Sequence, residues 1–255
     1  MFIDIHSHLE IVKNLEKSIE NSRKNNVKII LTAGTNQKTN RLSLEFAKKY
    51  PEVYSCLGLY PTDALKLSEE EIKKEIQFIK EEFKKNQKII AIGEIGLDLK
   101  ESSRETLEKQ KQNFSKMIKL AIELDIPIIV HARKAELQAI EVIENLTKNT
   151  NYKKIIMHCF MGNFKLIKRI IKNNWFLTAP TNIKNSQHFQ DLVKITPIEQ
   201  LFCETDSPFL HPNKEKNNIP GNVLESYKKV AEIKGLELKQ TEDYIENNYK
   251  KVFKR

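Results

Sequence analysis

The side chains with the most chemistry in this 255-residue sequence are few and grouped. Only six histidines occur, and four stand where short apolar runs end. His6 and His8 follow the first run in the order Asp-Ile-His-Ser-His, His131 closes Ile-Ile-Val, and His158 closes Ile-Ile-Met. Two carboxylates share that placement: Glu94 in Ile-Gly-Glu-Ile-Gly-Leu-Asp and Asp206 in Cys-Glu-Thr-Asp-Ser-Pro. Residues two apart in extended backbone point the same way, so His6 and His8 can reach one ion. A lone histidine at a strand end is more often a hydrogen-bonded core residue than a ligand. Four of them beside two acids reverse that balance. Four imidazoles and two carboxylates can share two divalent ions, one acid bridging, with positions left for water and substrate. Such a mixed nitrogen and oxygen set suits Zn2+ or Mn2+, and Mg2+ stays open although it prefers oxygen.

These residues need a scaffold that brings strand ends together. Eight short β-branched runs recur at even intervals: Phe2–Ile5, Val27–Thr32, Val53–Leu59, Lys88–Ile92, Pro127–Val130, Lys154–Met157, Trp175–Ala179 and Gln200–Cys203. Most are continuously apolar, as expected of parallel strands buried on both faces. Helical patterns lie between them, with stripes at Ile72, Ile76, Ile79, Phe83 and at Leu107, Phe114, Met117, Ala121, Leu124. Ser68 with Glu71, and Ser102 with Glu105, have capping-box spacing. Eight strands alternating with about eight helices over this length predict an α/β fold, a (β/α)8 TIM barrel forming a single domain over residues 1–255. An open doubly wound sheet would carry a glycine-rich first turn, and here that turn is His-Ser-His. Five of the seven glycines sit at predicted strand exits, the face on which barrel active sites are built.

Composition adds exclusions. Charged residues make up 30% of the chain, and no apolar run approaches the length needed to span a bilayer. The N-terminal segment MFIDIHSH lacks the basic and apolar blocks of a signal peptide, so a cytoplasmic location is expected. Three cysteines make no disulfide framework and suit a reducing compartment. The net charge is +9, yet of 43 basic residues only six are arginines. Lysines spread over every helix describe solvated surface more than a designed phosphate patch. They can still hold a polyanion over the barrel rim in a salt-sensitive way.

Five ordered motifs make a specific resemblance: His6–His8, GEIGLD at 93–98, VHAR at 130–133, HCFMG at 158–162 and ETDSP at 204–208. The chain resembles the TatD family of metal-dependent deoxyribonucleases, within the amidohydrolase-like barrel superfamily, from residue 1 to about residue 222. The resemblance implies a hydrolase that cleaves phosphodiester bonds, as a 3′-to-5′ exonuclease on single-stranded DNA, with RNA also attacked by some members. It implies that His6, His8, Glu94 and Asp206 hold one metal. It implies further that His131 and His158 hold a second, with Glu94 bridging and a metal-activated water as nucleophile. Relatives that bridge with a carboxylated lysine place it on the fourth strand, where this chain delivers Glu94.

Other positions follow with less direct roles. Asp206 can take the proton of the attacking water, and Glu204 can orient water or a ligand, or else pair with a lysine. Arg133 is read as a phosphate clamp, or a salt bridge to a rim acid, and Lys134 as added charge beside it, or the start of a helix. Tyr60 stands where many relatives have histidine, and it can stack on a base, donate to a phosphate, or pack against the rim. His211 lies on the loop after the eighth strand, within reach of substrate. Where many relatives read Arg-Asn-x-Pro, this chain has Asn217-Asn218-Ile219-Pro220. Cys159 and Cys203 are read as buried thiols. The competing functions are a related hydrolase of another ester, such as a D-aminoacyl-tRNA deacylase, and a non-catalytic nucleic-acid-binding module. No membrane and no obligate protein partner are indicated.

Overall fold

The computed structural model describes residues 1–213 and 217–253. Eight strands pair in sequence order, all parallel: β1 (Phe2–Ser7), β2 (Val27–Ala33), β3 (Val53–Leu57), β4 (Ile89–Asp98), β5 (Ile128–Arg133), β6 (Ile155–Met157), β7 (Phe176–Pro180) and β8 (Leu201–Glu204). The connecting helices are α1 (Leu15–Lys24), α2 (Gln37–Lys49), α3 (Pro61–Ala64), α4 (Glu69–Lys85), α5 (Leu107–Leu124), α6 (Glu136–Thr147), α7 (Phe164–Lys172), α8 (Gln187–Ile195), α9 (Val223–Lys234) and α10 (Leu238–Val252). This is the expected (β/α)8 barrel. Strand side chains such as Ile30, Ile92, Ile129 and Ile156 are fully buried, and the helices close over them with Ile72, Ile79, Met117, Ile140 and Ile170. Truncating one such side chain to alanine typically costs about 2–5 kcal/mol.

Local chemistry starts and stops the helices where the sequence reading placed them, with one exception. Ser68 and Glu71 cap α4 reciprocally, and Asn36 with Thr39 does the same for α2. The Ser102–Glu105 box does not form. Ser102 is drawn inward instead, donating to the Asp98 carbonyl and accepting from Gln110 Nε2 at 2.6 Å. A short 3-10 turn, Arg104–Thr106, precedes α5 in its place.

The largest departure from the sequence reading is that three strands run further. β1 includes His6, β4 continues through Glu94 to Asp98, and β5 continues through His131 to Arg133. Three candidate ligands, His6, Glu94 and His131, therefore lie within strands, while His8, His158 and Asp206 stand just past strand ends. Register slips by one residue at two of these positions, between Ile92 and Ile95 of β4 and between Asp4 and Ser7 of β1. A slip of that kind re-aims the side chains beside it.

The β8–β1 seam closes the barrel mainly through side chains and the segment after β8. The Asp206 amide donates to the His6 carbonyl at 2.9 Å, and the His8 amide donates to the Ser207 carbonyl at 2.7 Å. Asp4 accepts from the Thr205 amide at 2.8 Å and from its hydroxyl at 2.6 Å. On α9, the Tyr227 hydroxyl accepts from the Ile3 amide at 3.1 Å and lies 3.3 Å from the Ile3 carbonyl. These bonds satisfy edge groups that a β8 ladder would otherwise pair. The seam also ties His6 and His8 to Asp206. Among the described residues no helix is long and apolar enough to cross a membrane.

Candidate metal centre

Glu94 lies at the middle of the site, and its two oxygens face different histidines. Oε2 is 3.6 Å from His6 Nε2 and 3.3 Å from His8 Nε2. Oε1 is 3.0 Å from His131 Nδ1 and 3.3 Å from His158 Nε2. Asp206 Oδ1 joins the first set, 3.6 Å from the Nε2 atoms of both His6 and His8. All six predicted ligands thus converge, delivered by β1, β4, β5, the end of β6 and the segment after β8. Two groups, His6–His8–Asp206 and His6–Glu94–His158, have donor atoms close enough to share an ion.

Glycine makes this approach possible. A Cβ on Gly58 would stand 2.5 Å from the Glu94 carbonyl and 2.6 Å from the Gly93 carbonyl carbon. The chain after β3 therefore packs backbone to backbone against the strand that presents the central carboxylate.

Three rings have a carboxylate behind them. His131 turns Nε2 toward Asp98 Oδ2 at 2.9 Å, His158 turns Nδ1 toward Glu204 Oε2 at 3.3 Å, and His8 turns Nδ1 toward Glu10 Oε1 at 3.6 Å. An acceptor behind a ring fixes its tautomer and aims the other nitrogen's lone pair forward. His6 differs. Its Nδ1 is buried without a hydrogen-bond partner, and the ring is held by stacking 3.9 Å from His158.

The charge balance of the cluster calls for a cation. Burial opposes ionisation of Glu94, but hydrogen bonds from His131, His158, His6 and His8 outweigh it and hold the carboxyl well below its ordinary range. Burial also disfavours charge on His8, His131 and His158, yet the carboxylates facing them reverse that and raise all three. His6 alone stays lowered, by burial and by its neighbour His158. Buried carboxylates that raise the pKa of adjacent imidazoles favour a positive charge beside them. Divalent metal supplies that charge while leaving the rings neutral, and the mixed nitrogen and oxygen donors fit it.

The remaining sequence candidates scatter. Glu204, grouped with Asp206 as catalytic, is fully buried, and both its oxygens are used. Oε1 accepts from Thr178 Oγ1 at 2.7 Å and from the Cys159 amide at 3.0 Å, while Oε2 faces His158. It pairs with no lysine and stands behind a ligand ring. Tyr60 points its hydroxyl inward, 2.9 Å from Asp98 Oδ2 and 3.1 Å from His131 Nε2. Arg133 lines the cavity above the ligands, half exposed, with Glu101 3.9 Å away. Lys134 does not line that cavity. Its side chain belongs to a separate one with Lys100 and Arg104. His211 Nδ1 accepts from the Asn213 amide at 3.1 Å. Asn218 is buried and donates to Thr205 and Thr181, both at 2.8 Å, so that stretch braces the seam. Cys203 is a buried thiol as expected, but Cys159 is partly exposed at the cavity wall, and burial pushes both well above their usual value, away from the thiolate.

Asp98 is the functional residue that sequence reasoning passed over. It ends the GEIGLD motif, but nothing local says that it would face a histidine 33 positions later. The cavity above the ligands measures about 780 Å3. Ile11, Met161 and Phe209 line it while remaining about half exposed. Such an apolar rim over a polar floor fits a ligand with both phosphate and planar apolar groups.

Known proteins resemble the chain over its whole length. The family described as TatD related DNase matches residues 3–254. An uncharacterised metal-dependent hydrolase of Methanocaldococcus jannaschii is 35% identical, covering 100% of this chain and 97% of its own. The human deoxyribonuclease TATDN3 is 28% identical over 98% of this chain and 94% of its own. Among solved structures, the TatD homologue YJJV of Escherichia coli superposes with a TM-score of 0.89 at 23% identity, covering 100% of this chain and 98% of that one.

Proposed function

The chain belongs to the TatD related DNase family, and on that premise we propose that it is a metal-dependent deoxyribonuclease that trims single-stranded DNA, with RNA as a further substrate, from the 3′ end. The observation that carries this reading is the division of Glu94, one oxygen toward His6 and His8 and the other toward His131 and His158. His6, His8, Glu94, Asp206, His131 and His158 would hold two divalent ions, Mg2+, Mn2+ or Zn2+. Ions held there supply Lewis acidity, easing deprotonation of water near neutral pH and neutralising phosphoryl oxygens.

The chain's own residues do the rest. Asp206, at the floor of the cavity, accepts the proton of the attacking water. Arg133 on the cavity wall grips the phosphate with its planar fork. Glu204 and Asp98 keep His158 and His131 aimed at the donors' common centre. Phe209, Ile11 and Met161 offer the terminal base an apolar rest, which lets binding energy away from the phosphorus position the bond to be cut.

One assay tests the proposal against its rivals. Metal-stripped protein is mixed with end-labelled single-stranded DNA, RNA and misacylated tRNA, then given Mg2+, Mn2+ or Zn2+. The expected result is a ladder of DNA shortened from the 3′ end, lost in Asp206→Ala while the variant stays folded. Free amino acid with intact strands would make it a deacylase instead. Strand retention without product would make it a binding module.

A further inference from the structure

Beside the metal centre lies a second cavity of about 500 Å3, lined by Leu99, Lys100, Arg104, Lys134 and Gln138. Three of these five residues are cations and none is an acid. Among the described residues no ion pair involves their charged groups, whereas Lys49, Lys66, Lys111 and Lys116 on the same molecule all pair with carboxylates. Like charges gathered in one cavity repel unless an anion separates them.

The cavity is joined to the metal centre by hydrogen bonds. Asp98 uses Oδ2 for His131 and Oδ1 for the amides of Lys100 and Glu101, at 2.6 and 2.7 Å. The Leu99 amide donates to the Arg133 carbonyl at 2.9 Å, and Arg133 lines the first cavity while Lys134 lines the second. Lys134 is held at φ 59°, a left-handed conformation that a residue with a Cβ rarely adopts. That turn sends two consecutive cations into neighbouring cavities.

We propose that the cavity of Lys100, Arg104 and Lys134 is a backbone-phosphate subsite that holds the strand one or more nucleotides away from the bond being cut. Arg133 bridges it to the metal centre, so the strand lies along a cationic path leading to Glu94. This rests on the nuclease reading for its occupant, a phosphodiester of the bound strand. It gives three of the 43 basic residues a defined place beside the rim.

The test compares Lys100→Gln/Arg104→Gln/Lys134→Gln with a control, Lys24→Gln/Lys48→Gln/Lys172→Gln, which removes equal charge from outer helices. Binding of a phosphorothioate oligothymidylate of about twenty residues to metal-loaded protein is followed by fluorescence anisotropy across a salt series. Each lost contact to a single strand lowers the salt slope by about 0.7. The cavity variant should therefore lose about two units of slope, and Kd near 0.1 M salt should rise about ten- to hundredfold. The control should change little. In parallel, KM for the natural oligonucleotide should rise with kcat held, while hydrolysis of bis(4-nitrophenyl) phosphate, too small to reach the cavity, stays unchanged. Equal effects of the two variants, no change in either, or no binding by the native chain at low salt would overturn the subsite. If native protein binds the oligonucleotide through this cavity but cleaves no phosphodiester, the nuclease reading fails and the subsite stands.

Discussion

Asp98 Oδ2 stands 2.9 Å from Nε2 of His131, which leaves Nδ1 of the same ring 3.0 Å from Glu94. One carboxylate thus sets the tautomer of a candidate ligand while its other oxygen holds the turn that carries Lys100. Burial works against its charge, but the hydrogen bond from His131 and those from the Glu101 amide and Tyr60 outweigh it, and its pKa falls far below the ordinary range. Asp98→Asn keeps the shape and removes the charge. Metal affinity should fall about 10–100-fold, with activity recovered by excess metal. Isothermal titration with Mn2+ checks the first, and a metal titration of activity the second. An unchanged affinity would mean that Asp98 serves only the turn.

Gly58 is a second lever on the same centre, acting through backbone. An added Cβ meets the Glu94 carbonyl and the Gly93 carbonyl carbon, neither of which is the end of a flexible side chain. Gly58→Ala should cost about 1–3 kcal/mol of stability and reduce activity through displacement of Glu94. Denaturant unfolding with a parallel activity assay reads both. A variant as stable and active as the native protein would show that β3 and β4 separate easily there.

Removing metal should be visible without any substrate. Carboxylates buried among imidazoles lose their counter-ion, and ions that bind only the folded chain stabilise it by about 2.7 kcal/mol at a hundredfold excess over Kd. For a chain of this size that is a Tm change of about 5–10 °C. Scanning calorimetry with EDTA, then with Zn2+ or Mn2+ restored, should show the fall and its recovery. Identical Tm values would argue that the donors hold no ion.

Away from the centre, Glu144 on α6 clamps α7, the helices that follow the strands of His131 and His158. It accepts from Arg169 Nε at 2.8 Å and from Asn173 Nδ2 at 2.7 Å. The Arg169 hydrogen bond holds its carboxyl below the usual range despite partial burial. A carboxyl more acidic in the folded chain stabilises fully above its unfolded pKa, about 4.3. That contribution is lost as pH falls through the lower folded value. Glu144→Gln should cost about 0.5–1 kcal/mol at pH 7 and progressively less below pH 4. Paired urea titrations at pH 7 and pH 3 would show the gap closing, and a gap independent of pH would contradict it.

Much of this was legible from the chain alone, because it depends on near neighbours. Apolar runs of strand length, helical stripes, the Ser68–Glu71 cap and the His6-x-His8 spacing are local patterns with local causes. They determined the alternating fold and marked out the six candidate ligands. Tertiary structure decided what lies far apart in sequence. Whether Asp98 or Glu204 would stand behind His131 or His158, and which cavity Lys134 would enter, depended on strand register. One-residue slips also occur in β1 and β4 beside His6 and Glu94. A residue's type records what it can do, but the partner that makes it do so is chosen by the stagger of the barrel. Here it set Lys100, Arg104 and Lys134, far apart in sequence from the ligands of β1, around one cavity.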